Sequence, residues 1–257
     1  MSRIAQGDYS ALAAQYVHRP GYSRALLKRV AQELGAFRTG FAFADVGAGT
    51  GKLTEDLLAI GLSGTAVEPN DAMRAEGLRH VPESPCLKWR AGSAEDTGLP
   101  DARADWVLMG SSFHWTEAAR SLPEFHRILR PGGALSVLWN PRDLDRSPWH
   151  LALEADIAAL VPGLQRRSSG GAKYTRNIEK VLVSTGHFAD VRFDEDDMDV
   201  VMTRARYLGA WRSVNDIRAQ AGEARWAEII ALIEDRVADL DEITVPYKTR
   251  MWTARRV

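Results

Sequence analysis

Three glycines at alternate positions follow a short apolar run in the stretch Phe43-Ala-Asp-Val-Gly-Ala-Gly-Thr-Gly-Lys52, with Asp45 set among the apolar residues. Such a bare backbone lets a ligand lie against the main chain, because glycine reaches φ > 0 and carries no Cβ. A nucleotide P-loop would need a glycine five positions before Gly51 and a hydroxyl residue after Lys52. Val46 and Leu53 stand there instead. A dinucleotide fingerprint would place its third glycine at Lys52, one residue beyond Gly51. What remains is Asp45-x-Gly47-x-Gly49-x-Gly51, joined by Glu68 at the end of the next apolar run. A carboxylate at a strand end can accept hydrogen bonds from both hydroxyls of a ribose. The set asks for a nucleoside and has no need of a pyrophosphate.

Other chemistries find less support. Gly110-x-Ser112-x-His114 lacks the last glycine of a nucleophile elbow. The six histidines form no H-E-x-x-H and no spacing suited to a metal, so no metal is expected. The single cysteine, Cys86, excludes an intrachain disulfide and a thiolate zinc site. Its place in an expected strand predicts a buried apolar residue.

The elements that must position these residues alternate. Residues 41–46 read as a strand, and 52–60 carry Leu53, Leu57, Leu58 and Ile60 at helical spacing. The pattern repeats with strands at 64–68, 87–90, 106–109 and 134–139, and helices at 70–80, 117–129 and 148–160. Alternation with short connections predicts an α/β fold with a doubly wound parallel sheet. Beyond Pro141 the rhythm breaks down into an exposed loop over 163–175, a helix over 177–185, a strand over 188–194, mostly helix over 203–240 and a last strand over 243–255. Arg130-Pro-Gly-Gly133 reads as a helix stop and turn. Asp96 and Asp101 read as solvated loop charges.

Composition limits the partners. Of 257 residues, 45% are hydrophobic and 26% charged, and 33 basic residues against 34 acidic ones leave a net charge of −1. These values suit a globular protein with one large core, and they disfavour nucleic-acid or anionic membrane surfaces. The absence of a basic-then-apolar start and of any run of about 18 apolar residues predicts a cytoplasmic protein with no membrane span.

The ordered motifs ADVGAGTG (44–51), AVEPNDAM (66–73), AGSAEDTGLP (91–100), ADWVLMGSSFHW (104–115) and HRILRPGGALSVLW (126–139) carry a resemblance. The chain resembles class I S-adenosylmethionine-dependent methyltransferases, in particular the small-molecule group that includes the ubiquinone/menaquinone-biosynthesis and trans-aconitate enzymes. HRPGYS (18–23) is a weaker match to an N-terminal lid motif, and VPYKTRMW (245–252) to the final strand. The resemblance implies one Rossmann-like domain over 1–257, with a mostly parallel seven-stranded sheet and an antiparallel last strand. Within it, 1–35 would be lid helices, 40–140 the cofactor core, 142–180 and 200–240 a helical substrate lid, and 243–255 the last strand.

It also implies roles. Gly47, Gly49 and Gly51 would pass under S-adenosylmethionine, Asp45 would meet its ammonium and Glu68 its ribose. Met73 would pack on the adenine, with Ser93, Ala94 and Glu95 along its edge; many relatives have Asp where this chain has Ser93. Gly110 and Ser111 would face the methionine moiety. S-adenosylhomocysteine would be the product. For the acceptor, a small molecule, the candidates are Tyr16, Arg19, Tyr22, His114, Trp115, Trp139 and Tyr247, with Trp149 as a further aromatic wall. His114, just past the fourth strand, is the candidate general base, needed only where the acceptor keeps its proton at neutral pH. Two competing readings keep the fold: a non-methylating use of the sulfonium, and a non-catalytic subunit.

Overall fold

The structure is a computed structural model and describes residues 13–166, 171 and 175–257. The loop expected over 163–175 and the lid expected over 1–35 therefore fall in part outside the described residues. Seven strands form one sheet in the order β3-β2-β1-β4-β5-β7-β6. They are β1 (Phe43–Val46), β2 (Gly64–Val67), β3 (Leu87–Arg90), β4 (Ala104–Gly110), β5 (Leu129–Trp139), β6 (Phe188–Thr203) and β7 (Glu242–Arg256). β1 runs parallel to both β2 and β4, β2 to β3 and β4 to β5, whereas β7 lies antiparallel to β5. Chain order thus reverses between β1 and β4. In doubly wound sheets a crevice opens at such a point, beyond the carboxyl ends of the strands.

The chain divides into two compact units. The sheet unit comprises Gly21–Asn140, Ser169–Asp196 and Thr249–Val257; the helical unit comprises Met1–Pro20, Pro141–Ser168 and Asp197–Lys248, each in its described parts. In the sheet unit β1 and β4 are buried on both faces, as parallel strands covered by helices must be. Trp106 and Leu108 point into a cluster with Leu26, Leu27, Val30, Leu53 and Leu57, from the helices Arg24–Glu33 and Lys52–Ala59. Val107 and Met109 point into another with Leu122, Phe125, Ile178 and Leu182, from the helices Ala118–Ile128 and Ile178–Leu182.

The boundaries of the expected lid shift accordingly. Residues 21–35 and 177–182 belong to the sheet unit, because Leu26, Leu27, Ile178 and Leu182 are core side chains. β6 also runs on to Thr203, past the expected end at 194. Its alternation of half-buried and exposed positions is masked in the sequence because Asp194 and Asp196 take half-buried positions among the acidic residues of the exposed side.

The helical unit has its own core. Leu153 and Ile157 on the helix Pro148–Leu160, Tyr207 and Trp211 on Arg204–Arg212, and Ile217, Trp226, Ile229 and Ile233 on Asn215–Arg236 pack together with Ile243, Val245 and Tyr247. The longest of these helices breaks at Gly222, with φ 74° and ψ 165°.

Candidate active site

The glycine loop is fixed at both ends. The N–H groups of Gly47 and Ala48 donate to Val67 O at 2.8 and 3.1 Å, which ties the loop to the end of β2. Gly47 has φ 71°, and a Cβ there would stand 2.8 Å from Ser112 Oγ. At Gly49, φ is 58° and a Cβ would stand 3.3 Å from the Met73 methyl. Both positions therefore need glycine for conformation as well as space. Gly51 caps the helix Lys52–Ala59, directing that helix's N-terminal partial charge at the loop.

Two carboxylates flank the loop. Asp45 is 1% exposed; its Oδ2 accepts from Thr54 Oγ1 at 2.6 Å, and its Oδ1 has no hydrogen-bond partner among the described residues. Burial pushes its pKa up to about 7, opposed by the Thr54 bond and reinforced by the charge of Glu68. Glu68 Oε2 accepts from Gly49 N at 2.8 Å and its Oε1 from Asn70 N at 2.9 Å. Desolvation raises its pKa, and those two N–H groups work against the rise. Sequence reasoning missed Thr54, whose only signal was a hydroxyl in the first turn of the helix that follows the glycines. It also missed Asn70, which caps the helix Asp71–His80 through Met73 N at 3.0 Å.

Around the expected adenine edge, Met73 and Ala94 are buried. Ser93 Oγ accepts from the N–H groups of Glu95 and Asp96, each at 3.2 Å, so its oxygen shapes its own turn. Glu95 Oε1 accepts from Glu117 N at 3.0 Å, turning that carboxylate toward the start of the helix Ala118–Ile128.

At the end of β4, Ser111 adopts φ 55°, rare for a residue with a side chain. Tyr22 Oη donates to Ser111 Oγ at 3.0 Å, and a Cβ on Gly110 would stand 2.7 Å from that phenol oxygen. Tyr22, Gly110 and Ser111 thus lie together in the sheet unit. His114 lies on a 3₁₀ turn, Phe113–Trp115. Trp139 Nε1 donates to His114 Nδ1 at 3.4 Å, and Trp115 packs against the imidazole at a ring separation of 4.7 Å. Indole N–H is donor only, so Nδ1 is the unprotonated nitrogen and Nε2 bears the hydrogen. Desolvation lowers the His114 pKa to about 4. Trp139 itself is fully buried, edge-on to Trp252, and its ring forms no open wall.

The remaining candidates belong to the helical unit. Arg19 lies 4.4 Å over the Tyr16 ring, and its Nε and Nη2 donate to Ser213 Oγ and O at 2.8 and 3.0 Å. These bonds engage the guanidinium of an expected acceptor contact. Tyr247 is buried, and Trp149 packs on His150. Cys86 departs from expectation: it is exposed, in the turn just before β3, where only its backbone is engaged. Among the described residues no three His, Cys, Asp or Glu side chains form a metal cluster, and no helix is long and apolar enough to cross a membrane.

A family model described as a methyltransferase domain matches residues 44–137. An uncharacterized methyltransferase of Mycobacterium tuberculosis is 43% identical over 105 residues, covering 41% of this chain and 42% of the relative. The demethylmenaquinone methyltransferase of Beutenbergia cavernae is 33% identical over 132 residues, covering 50% and 51%. The chain thus spans about half the length of the curated relatives it matches. Among solved structures, a protein of Anaeromyxobacter dehalogenans provisionally classed as a type II methyltransferase superposes with a TM-score of 0.65 at 21% identity, covering 92% of this chain and 97% of that one. Phosphoethanolamine N-methyltransferase 2 of Haemonchus contortus gives 0.54 at 14% identity, covering 99% and 59%. Residues 44–137 thus match a methyltransferase domain, within a Rossmann-like doubly wound fold that the chain shares with these solved structures.

Proposed function

We propose that this chain moves a methyl group from S-adenosylmethionine to a small-molecule acceptor. The observation that carries the reading is the pair of buried carboxylates beside a loop whose glycines cannot carry a Cβ. Asp45 offers an unpartnered oxygen to an ammonium. Glu68 already accepts two N–H groups and keeps lone pairs for ribose hydroxyls. Met73, Ala94 and the Ser93 turn supply an apolar edge for a purine. Gly110 and Ser111 bring main chain close to the end of β4.

When bound, the sulfonium supplies an electrophilic methyl whose bond to sulfur breaks as the bond to the acceptor forms. The protein's part is positioning and exclusion of water. His114 fits a positioning role: with its pKa lowered to about 4 by desolvation it is a weak base, better suited to orient an acceptor oxygen than to take its proton. A flat pH profile of kcat between 6 and 9 is expected, with His114→Gln retaining more turnover than His114→Ala. A profile whose low-pH limb disappears in His114→Ala would return the residue to base catalysis.

The test of the whole reading is thermal shift with S-adenosylhomocysteine, S-adenosylmethionine, NAD, NADP and ATP. A ligand at about 100 times its Kd adds roughly 2.7 kcal/mol, several degrees in Tm. Selective stabilisation by the two S-adenosyl compounds is expected. A shift with NAD or ATP alone would refute the proposal.

A further inference from the structure

The helical unit buries a polar knot inside its apolar core. His150 Nε2, Tyr207 Oη, Trp211 Nε1 and Asn215 Oδ1 are sealed from solvent and have no hydrogen-bond partner among the described residues. Their side chains belong to residues only 2%, 1%, 0% and 7% exposed. They come from three helices, yet the rings of His150 and Tyr207 lie 5.9 Å apart and those of Tyr207 and Trp211 6.3 Å apart, so these three form one cluster, with Asn215 four residues beyond Trp211 in the chain. The Trp211 N–H is directed at the Tyr207 oxygen without reaching full hydrogen-bond geometry. Native cores leave few such atoms unpaired, and a group of them calls for an explanation.

Donor chemistry gives the direction. The Arg142 guanidinium lies 4.0 Å over the Trp211 ring; desolvation and then its field keep His150 neutral, and desolvation raises the Tyr207 pKa against the pull of the same guanidinium. Glu154 is shared between Arg142 at 3.2 Å and Arg166 at 3.1 Å, and Arg166 also meets Asp216 at 3.4 Å, so the two cations are matched by two carboxylates, Arg142 being the nearer of the two guanidiniums to the Trp211 ring. Around Arg142 stand an indole N–H that can only donate, a phenol, a neutral imidazole, and an amide whose two ends can exchange by a flip.

We infer that the helical unit holds its own site for a compact oxyanion, a carboxylate or phosphate group, bound by Arg142, Tyr207, Trp211 and Asn215. A cation could not use the Trp211 N–H, which only donates, and an apolar group would leave every unpaired atom unsatisfied. Entry requires the packing to open, and the break at Gly222 separates the segment that carries Asn215 from the rest of its helix. The site stands whether or not the sheet unit transfers methyl groups.

The test is calorimetric titration of the full chain with acetate, succinate and inorganic phosphate, repeated with Trp211→Phe, Tyr207→Phe and Arg142→Met. Saturable binding of at least one probe is expected, weakened about fivefold by each loss of a neutral donor and about 10- to 100-fold by loss of the guanidinium. Succinate tighter than phosphate assigns a carboxylate, and the reverse assigns a phosphate. Retention of the S-adenosylhomocysteine-induced Tm shift in each variant separates failure of this site from failure of the fold or of the methyl-transfer reading. No saturable binding of any probe at tens of millimolar, or unchanged affinity in both Trp211→Phe and Tyr207→Phe, would overturn the inference and leave a core hydrated by internal water only.

Discussion

Two tryptophans, each fully buried, separate the halves of this molecule. In the sheet unit Trp106 Nε1 donates to Ser136 Oγ at 2.8 Å, and that hydroxyl bonds Thr253 at 2.7 Å. In the helical unit Trp211 Nε1 reaches no partner. The same contrast runs through each unit. Asp56 meets Tyr22 N and Arg24, Glu124 meets Thr97 and Arg127, and the unpartnered exception in the sheet unit is Asp45 Oδ1, beside the glycine loop. A core whose described residues satisfy their buried polar atoms everywhere but beside the glycine loop is built for rigidity around that loop. Four unsatisfied atoms in the other core mark a place whose polar partners come from elsewhere.

The largest expected effect breaks the sheet unit's site alone. Glu68→Ala removes the acceptor of Gly49 N and Asn70 N as well as the ribose contact. Affinity for S-adenosylhomocysteine should fall by about 1.5–3 kcal/mol, roughly 10- to 100-fold, if the lost bonds are charge-assisted. Succinate binding to the helical unit should not change. Wild-type affinity for the cofactor product in this variant would refute the ribose assignment.

Next comes the rigid network. Ser136→Ala leaves the Trp106 N–H and the Thr253 hydroxyl short of a partner in a site closed to water. A loss of about 1–3 kcal/mol in unfolding free energy is expected, read by denaturant titration. An unchanged midpoint would mean that this core repacks as freely as the other.

How much of this was readable beforehand follows the same division. The glycines, Glu68 and the strand-helix rhythm were legible because both faces of a parallel sheet demand apolar runs and a tight turn demands glycine. The burial of Leu26 and Leu27 against Trp106 was not legible. A single amphipathic helix does not say which surface it covers, and residues 21–35 were assigned to the lid on a motif. Cys86 was misjudged by one position, since the turn that ends at β3 exposes its side chain. The pairing of Trp139 with His114, distant in sequence and joined through one N–H, leaves no periodic trace. His150, Tyr207, Trp211 and Asn215 read as ordinary helix residues, because an unsatisfied hydrogen bond is a property of packing alone.

A pH titration sharpens the comparison further. Asp45, held near pKa 7 by burial, should bind the ammonium of the cofactor as a carboxylate. As pH falls below 7 its protonated form competes, so affinity should weaken toward a limit of about tenfold per pH unit, 1.4 kcal/mol, and level off above pH 8. Asp45→Asn should bind weakly with no such slope between pH 6 and 8. In the helical unit the pKa of His150 is shifted the other way. Its pKa is lowered to about 4 by desolvation and then by Arg142, so its contribution to stability is fully present above the ordinary pKa near 6.5 and is lost as pH falls toward 4. Melting curves across that window should show the loss in wild type and less of it in His150→Leu.

The smallest effect is the most discriminating. Tyr207→Phe deletes one buried hydroxyl, as Ser136→Ala does, and leaves the ring packing of Trp149 and Trp211 in place. If the Tyr207 hydroxyl has no partner in the free protein, its removal forfeits no hydrogen bond and relieves a desolvation penalty. The variant should be as stable as wild type or more stable by up to about 1 kcal/mol in ligand-free buffer. Adding the oxyanion probe should reverse the order, because only wild type then gains a bond at that atom. A Tyr207→Phe variant that loses stability as Ser136→Ala does, with or without the probe, would mean that the hydroxyl is satisfied within the folded chain. The two cores would then follow one rule.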